Sequence, residues 1–169
     1  MAQIAVRQED ITSMHVDAIV NAANTALSGG SGVNGAIQWA AGPELLKECL
    51  SLNGCETGNA KITKGYNLPA KYVIHAVVPV WQGGNHNERQ LLHDAYYRSL
   101  ALAKDNDIRS IAFPNISTGI YGYPKREAAA TALNVINDFC KKYPDAFDEI
   151  FLVCFDDENK NIYHEILKG

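Results

Sequence analysis

At 169 residues with 47% apolar content, the chain is long enough to bury one domain's core and too apolar for disorder. Fifteen Lys and Arg against nineteen Asp and Glu leave a formal charge of −4, without the basic excess of a nucleic-acid footprint. Residues 72–81 form the longest apolar stretch, which contains His75 and falls well short of the roughly twenty residues of a membrane span. Neither nucleic acid nor membrane is therefore an expected partner. Residues 1–10 lack the basic-then-apolar order of a secretory signal, which makes the cytoplasm the expected location. The cysteines at 49, 55, 140 and 154 show neither CxxC nor paired zinc spacing. Four reduced, mostly structural thiols and no metal site are expected.

Along the chain, short β-branched runs predict strands at 4–7, 17–21, 60–63, 72–80, 110–113 and 150–155. A helix is expected over 34–52, behind a glycine-rich stretch. Another is expected over 87–104, where Leu91, Leu92, Ala95, Ser99, Leu100 and Ala103 share one face at a period near 3.6. Pro124 suits the first position of a third helix, because its missing N–H is unpaired there anyway. Ala128, Ala132, Leu133, Ile136 and Phe139 supply the buried stripe of that helix, which runs to about 143. A short helix from 159 closes the chain. No repeat or linker divides it, so residues 1–169 read as one unit. Strands alternating with helices predict an α/β fold whose sheet is covered on both faces. Ligands in such sheets sit beyond the carboxyl ends of the strands, which draws attention to the segments after Val20 and Phe113.

Both segments have the makings of an anion site. Asn21-Ala-Ala-Asn-Thr-Ala-Leu-Ser-Gly-Gly-Ser-Gly-Val-Asn-Gly35 leaves a strand, carries four glycines and runs into a helix. Glycine lets backbone N–H groups approach a phosphate, and the first turn of a helix adds unpaired donors and the positive end of its dipole. Residues 8–46 contain no Lys or Arg, so a phosphate here would be held by backbone dipoles, with the Ser31 hydroxyl adding to them. The second segment, Asn115-Ile-Ser-Thr-Gly-Ile-Tyr-Gly-Tyr123, also lacks a cation and precedes a helix. Two such loops facing one another would clamp a diphosphate, whereas either alone is also what an ordinary glycine turn looks like.

Other chemistries fit less well. Gly30-Ser-Gly-Val-Asn-Gly35 formally satisfies GxGxxG, but nine positions separate Asn21 from Gly30, whereas a dinucleotide fold turns directly off its strand. No glycine is followed by Lys-Ser or Lys-Thr, as a Walker loop requires. Asn115-Ile-Ser-Thr-Gly119 lacks the first glycine of a nucleophile elbow. His86-Asn-Glu88 matches half of a deaminase zinc signature, and the Pro-Cys-x-x-Cys half is missing. His75, amid Val and Ile, reads as a satisfied core histidine.

Four stretches, taken together, resemble the macrodomains, and within them the bacterial and MacroD-like O-acetyl-ADP-ribose deacetylases. They are Ile19-Val-Asn-Ala-Ala-Asn24, Gly29-Gly-Ser-Gly-Val-Asn-Gly-Ala-Ile37, Ala40-Ala-Gly-Pro43 and Ile116-Ser-Thr-Gly-Ile-Tyr-Gly-Tyr-Pro124. Asp10-Ile-Thr12, Leu68-Pro-Ala70, Pro79-Val-Trp81 and Ala112-Phe-Pro114 extend the likeness over nearly the whole chain. The resemblance implies a three-layer α/β/α fold with a central mixed, mostly parallel sheet, and a cleft for ADP-ribose and its esters with no cofactor. It implies that Asp10 accepts from the adenine amino group beside Ile11, and that Phe155 lies against the adenine ring. Ser31, Gly32, Val33, Asn34 and Gly35 would embrace the diphosphate from one side, and Ser117, Thr118, Gly119, Ile120 and Tyr121 from the other. Tyr123 would lean on the distal ribose, and Asn24 would hydrogen-bond one of its hydroxyls, a task that suits an amide because it both donates and accepts.

One position departs from the pattern. Asn34 stands where the hydrolytic branch carries the Asp that orients or deprotonates the attacking water, and an amide cannot take a proton. Ser31 also replaces a glycine of the usual run, and Glu9 stands where a glycine often precedes Asp-Ile-Thr. Asn24 and Asn34 are thus the catalytic candidates of a hydrolase with reduced activity on O-acetyl-ADP-ribose or on mono-ADP-ribosylated protein carboxylates. The alternative is a module that reads ADP-ribose without turning it over, and a nicotinamide oxidoreductase is a distant third.

Overall fold

The computed structural model describes residues 2–30, 32–115 and 121–168. In chain order the elements are β1 (Gln3–Gln8), a 3-10 turn (Ile11–Ser13), β2 (Ala18–Ala23), α1 (Gly32–Ala41), α2 (Pro43–Ser51), β3 (Ala60–Lys64) and β4 (Tyr72–Val77). There follow α3 (Glu88–Asp105), β5 (Ser110–Phe113), α4 (Lys125–Lys142), β6 (Glu149–Cys154) and α5 (Asp157–Lys168). The six strands form one sheet in the order β1-β6-β5-β2-β4-β3. Among the described residues, only the β3–β4 pair is antiparallel.

The period of two along each strand separates the layers. Ile19 and Ala23 of β2, Val73 and Val77 of β4, and Ala112, Phe151 and Val153 pack against Ile37 and Ala41 of α1 and Leu45 and Cys49 of α2. The alternate positions, among them Ala18, Val20, Ile74, Ile111 and Leu152, meet the buried stripes of α3 and α4 and Tyr163 of α5. This is the expected α/β/α sandwich. The four cysteines are buried free thiols, and burial pushes each of their pKa values up.

Some boundaries differ from the sequence reading for local reasons. The helix expected over 34–52 is two helices, because Gly42 adopts φ +89 and Pro43 starts α2. A side chain at Gly42 would meet the Asn67 amide nitrogen at 2.8 Å, a contact that this side chain can relieve by turning aside, so the positive φ is what fixes the break. Strand β4 stops at Val77 rather than running to 80, and residues 78–80 lead on to Trp81, whose N–H is taken by the Tyr121 carbonyl rather than by a strand. Pro124 caps α4 from outside its first turn, its carbonyl accepting the Ala128 N–H at 2.9 Å. α5 begins at Asp157, two residues earlier than expected, where the Asp156 carboxylate accepts the Asn159 N–H at 3.0 Å.

Candidate functional site

Five parallel strands bring their carboxyl ends to one edge of the sheet, so the loops after β1, β6, β5, β2 and β4 lie side by side in that order. At one end, Gln8 pairs with Cys154, and Asp10 and Phe155 follow these paired strand ends. Asp10 caps the 3-10 turn, its Oδ1 accepting Thr12 N at 2.9 Å and Thr12 Oγ1 at 2.6 Å, while Ile11 beside it is buried. Phe155 is 92% exposed and so is no part of the core.

The glycine-rich loop follows β2. Asn24 braces it: its Nδ2 donates to the Gly29 carbonyl at 2.9 Å, and its Oδ1 accepts the Ser28 N–H at 3.1 Å. α1 opens at Gly32, whose φ of +60 suits glycine, and no atom lies within 4 Å of where a Cβ would stand. Gly35 is needed for a different reason, since a Cβ there would sit 2.5 Å from the Gly30 carbonyl oxygen. Val33 is half-buried against the α1–α2 core. The loop thus comes within contact distance of the first turn of α1, where the helix leaves unpaired N–H donors.

Asn34 lies in that first turn, buried, and its Oδ1 accepts from Asn21 Nδ2 at 3.0 Å. Asn21 Nδ2 also lies 3.1 Å from His75 Nδ1, and His75 Nε2 lies 2.9 Å from Thr63 Oγ1. Because Asn21 Nδ2 can only donate, His75 Nδ1 is the acceptor and its proton sits on Nε2, directed at Thr63. The Thr63 hydroxyl in turn donates to the Lys64 carbonyl at 3.2 Å. Burial lowers the His75 pKa to about 4, against a weaker opposing pull from Glu48, so the ring is neutral. The core histidine is satisfied, as expected, and it stands in line with the site.

The second loop begins at Asn115 and returns at Tyr121; Ser117, Thr118, Gly119 and Ile120, like Ser31 of the first loop, lie outside the described residues. The Tyr121 carbonyl accepts the Trp81 N–H at 2.8 Å, tying this loop to the one after β4. That neighbouring loop is organised by Glu88, which is 1% exposed. Burial alone would raise its pKa, but the N–H groups of Gln82, Gly84 and His86, at 2.8, 2.8 and 2.6 Å, outweigh it and hold the carboxylate at about 2. A cleft of ≈ 350 Å³ lies here, with Asn24 and Tyr121 among its walls. A hollow of ≈ 360 Å³ between the start of α3 and the middle of α4 shares Glu88 but none of the expected ligand residues. Among the described residues, no group of three or more His, Cys, Asp or Glu is placed to hold a metal ion.

This geometry meets its counterpart in known proteins. The Macro domain family matches residues 20–132. The chain is 53% identical over 167 residues to a macro domain-containing protein of Lactiplantibacillus plantarum, covering 99% of this chain and 97% of that one. It belongs to the macrodomain family. Its relatives include an O-acetyl-ADP-ribose deacetylase of Escherichia fergusonii, 52% identical over 98% of this chain and 96% of that protein. The crystal structure of a Trypanosoma brucei macrodomain in complex with ADP-ribose superposes with a TM-score of 0.92 at 43% identity, covering 97% of this chain and 68% of that one.

Within the macrodomain, the described part of the expected site falls along one sheet edge, with one correction. Tyr123 does not face the cleft: it is 2% exposed, its ring packs on Trp81 at 4.8 Å between centroids, and its hydroxyl bonds Thr131. Two residues with parts in the site were missed. Asn21 looked like one more strand residue, although an amide amid Val and Ala inside a buried strand was itself a signal. Glu88 stood out only as part of a half-matched zinc signature and gave no sign of its actual role, because its partners are backbone N–H groups that no side-chain pattern announces.

Proposed function

We propose that this macrodomain binds ADP-ribose along the sheet edge and hydrolyses esters of its distal ribose, with O-acetyl-ADP-ribose and mono-ADP-ribosylated protein carboxylates as the substrate class. The observation that carries this reading is the junction of β2 and α1. Asn24 at the strand end and Asn34 in the first helical turn flank a glycine loop that offers backbone donors and no cation. The ADP-ribose complex of a macrodomain relative and the deacetylase name of another support it. Adenine would then lie at Asp10, Ile11 and Phe155, the diphosphate between the two loops, and the distal ribose at Asn24. Water attacks within this preorganised cleft, at a rate lowered by the lack of a proton-accepting group at position 34. The cytoplasm fits four thiols packed as core residues.

Asn34 favours a second reading, a module that binds ADP-ribose and releases it unchanged. Calorimetry with ADP-ribose, followed by product analysis on O-acetyl-ADP-ribose with the same sample, separates the two. Binding in the low-micromolar class, about −8 kcal/mol, with slow release of acetate is the expected result. Binding without release leaves the reader, and no binding ends both readings.

A further inference from the structure

Trp81 is half-buried in the segment after β4 and lines neither the cleft nor the neighbouring hollow. Two loops nevertheless close on it. On one side the chain folds back over the indole, so that a Cβ at Gly84, where φ is +92, would stand 3.0 Å from Trp81 Cη2. That turn is held independently of Trp81, because the N–H groups of Gln82, Gly84 and His86 are gathered on the Glu88 carboxylate at the start of α3.

On the other side Trp81 holds residues 121–123 twice. Its main-chain N–H donates to the Tyr121 carbonyl at 2.8 Å, and its ring packs on that of Tyr123 with 4.8 Å between centroids and 58° between planes. Gly122, at φ +72, lies between the two attachments. In an extended chain residues two apart point the same way. The left-handed Gly122 breaks that alternation, and Tyr121 stays on the cleft wall while Tyr123 is buried. The Tyr123 hydroxyl is bonded in turn to Thr131, a buried residue of α4. Thr131, Tyr123 and Trp81 in succession thus tie the return of the second loop to the helical layer behind it. A wall set in advance in this way takes a ligand without the cost of ordering it.

Resting on the functional reading above, which gives Tyr121 to the diphosphate, we infer that Trp81 is a positioning residue of the ADP-ribose site. Its ring, seated between the Gly84 turn and Tyr123, fixes the course of residues 121–123 and acts on the ligand only through Tyr121. The ligand parts it serves are the second phosphate and the distal ribose, since the adenine end of the reading lies over β1 and β6, on the far side of β5.

Substitution at 81 keeps the main-chain N–H, so the ring alone is tested. Calorimetry compares ADP-ribose with AMP, which lacks the second phosphate and the distal ribose, on the parent protein, Trp81→Leu, Trp81→Phe and Thr131→Val, with thermal melting to establish that each is folded. Trp81→Leu should bind ADP-ribose about tenfold more weakly, the scale of one aromatic pair, while its AMP affinity stays within about twofold of the parent. Trp81→Phe restores a ring against Tyr123 and should recover most of the loss. Thr131→Val, on a helix away from the ligand, should lose about threefold for ADP-ribose with the same sparing of AMP, as the removal of one buried hydrogen bond implies. Should Trp81→Leu not fold, Thr131→Val decides. Unchanged ADP-ribose binding in the deciding variant, an equal loss for ADP-ribose and AMP, or a loss in Trp81→Phe as large as in Trp81→Leu overturns the positioning role and leaves the functional reading standing. A parent protein that binds no ADP-ribose overturns the functional reading itself.

Discussion

Asn21 Nδ2 donates to Asn34 Oδ1 at 3.0 Å and also to His75 Nδ1 at 3.1 Å, so a neutral histidine in the core fixes the amide that fixes Asn34. Protonation of His75 would set a donor against a donor. The folded pKa, about 4, lies below the ordinary 6.5, so the unfolded chain takes the proton first. Stability from the neutral ring is therefore complete above about pH 6.5 and is lost as pH falls toward about 4, by on the order of 3 kcal/mol. Urea unfolding at pH 7 and pH 4.5 should show this fall, and His75→Phe should flatten it. An unchanged pH slope in the variant would remove His75 from the argument.

Asn34→Asp should separate binding from catalysis. A carboxylate in the first turn of α1 gains from the helix dipole and can still accept from Asn21 Nδ2, so the loop keeps its shape. General-base assistance is worth about 10²- to 10⁴-fold, so release of acetate should rise at least about tenfold with ADP-ribose affinity little changed. Equal rates would show that water is positioned without the acid. An inactive variant with normal affinity would leave the reader.

The strands were legible because each pairs a β-branched run with a turn signal, and five of the six lie within two residues of the reading. The break at Gly42-Pro43 was visible as a dipeptide, yet the apolar positions continue across it from Ile37 and Ala41 to Leu45 and Cys49, so the pattern of burial alone does not separate one helix from two. The glycine loop was legible as well, since glycines ahead of a helix mark a run of backbone donors, whereas the part given to Asn24 came from the family resemblance. What sequence does not carry is which of two tyrosines faces a cleft. Tyr121 and Tyr123 are two apart, and it is Trp81, some forty positions away, that takes the ring of Tyr123 into the core. His75 and Asn21 meet only because β2 and β4 pair in register.

The two ends of the glycine loop should fail differently. Gly35→Ala places a methyl 2.5 Å from the Gly30 oxygen, which forces the loop and α1 apart and should lower both melting temperature and ADP-ribose affinity. Gly32→Val meets no neighbour but must hold φ +60, so its cost is backbone strain of about 1–2 kcal/mol together with a side chain beside the helix donors. Affinity should fall in Gly32→Val by more than stability does. Normal ADP-ribose binding by both variants would make the loop an ordinary turn.

Phe155 offers the cleanest test of where adenine lies. A ring 92% exposed at the end of β6 buries little in the free protein, so Phe155→Ala should change unfolding free energy by no more than about 0.5 kcal/mol. If the ring stacks on adenine, its loss costs about 1–3 kcal/mol of binding, the range for one base against one aromatic side chain. Paired calorimetry distinguishes this from a general weakening. ADP-ribose should lose affinity in the variant, whereas ribose 5-phosphate, which has no base, should bind parent and variant alike. Asp10→Asn should act with it, because the amide keeps an acceptor for the Thr12 N–H while weakening the charged acceptor at the adenine end. If ADP-ribose binds Phe155→Ala as tightly as the parent, adenine lies elsewhere along the edge, and the order of ligand parts over β1, β6, β5 and β2 must be redrawn.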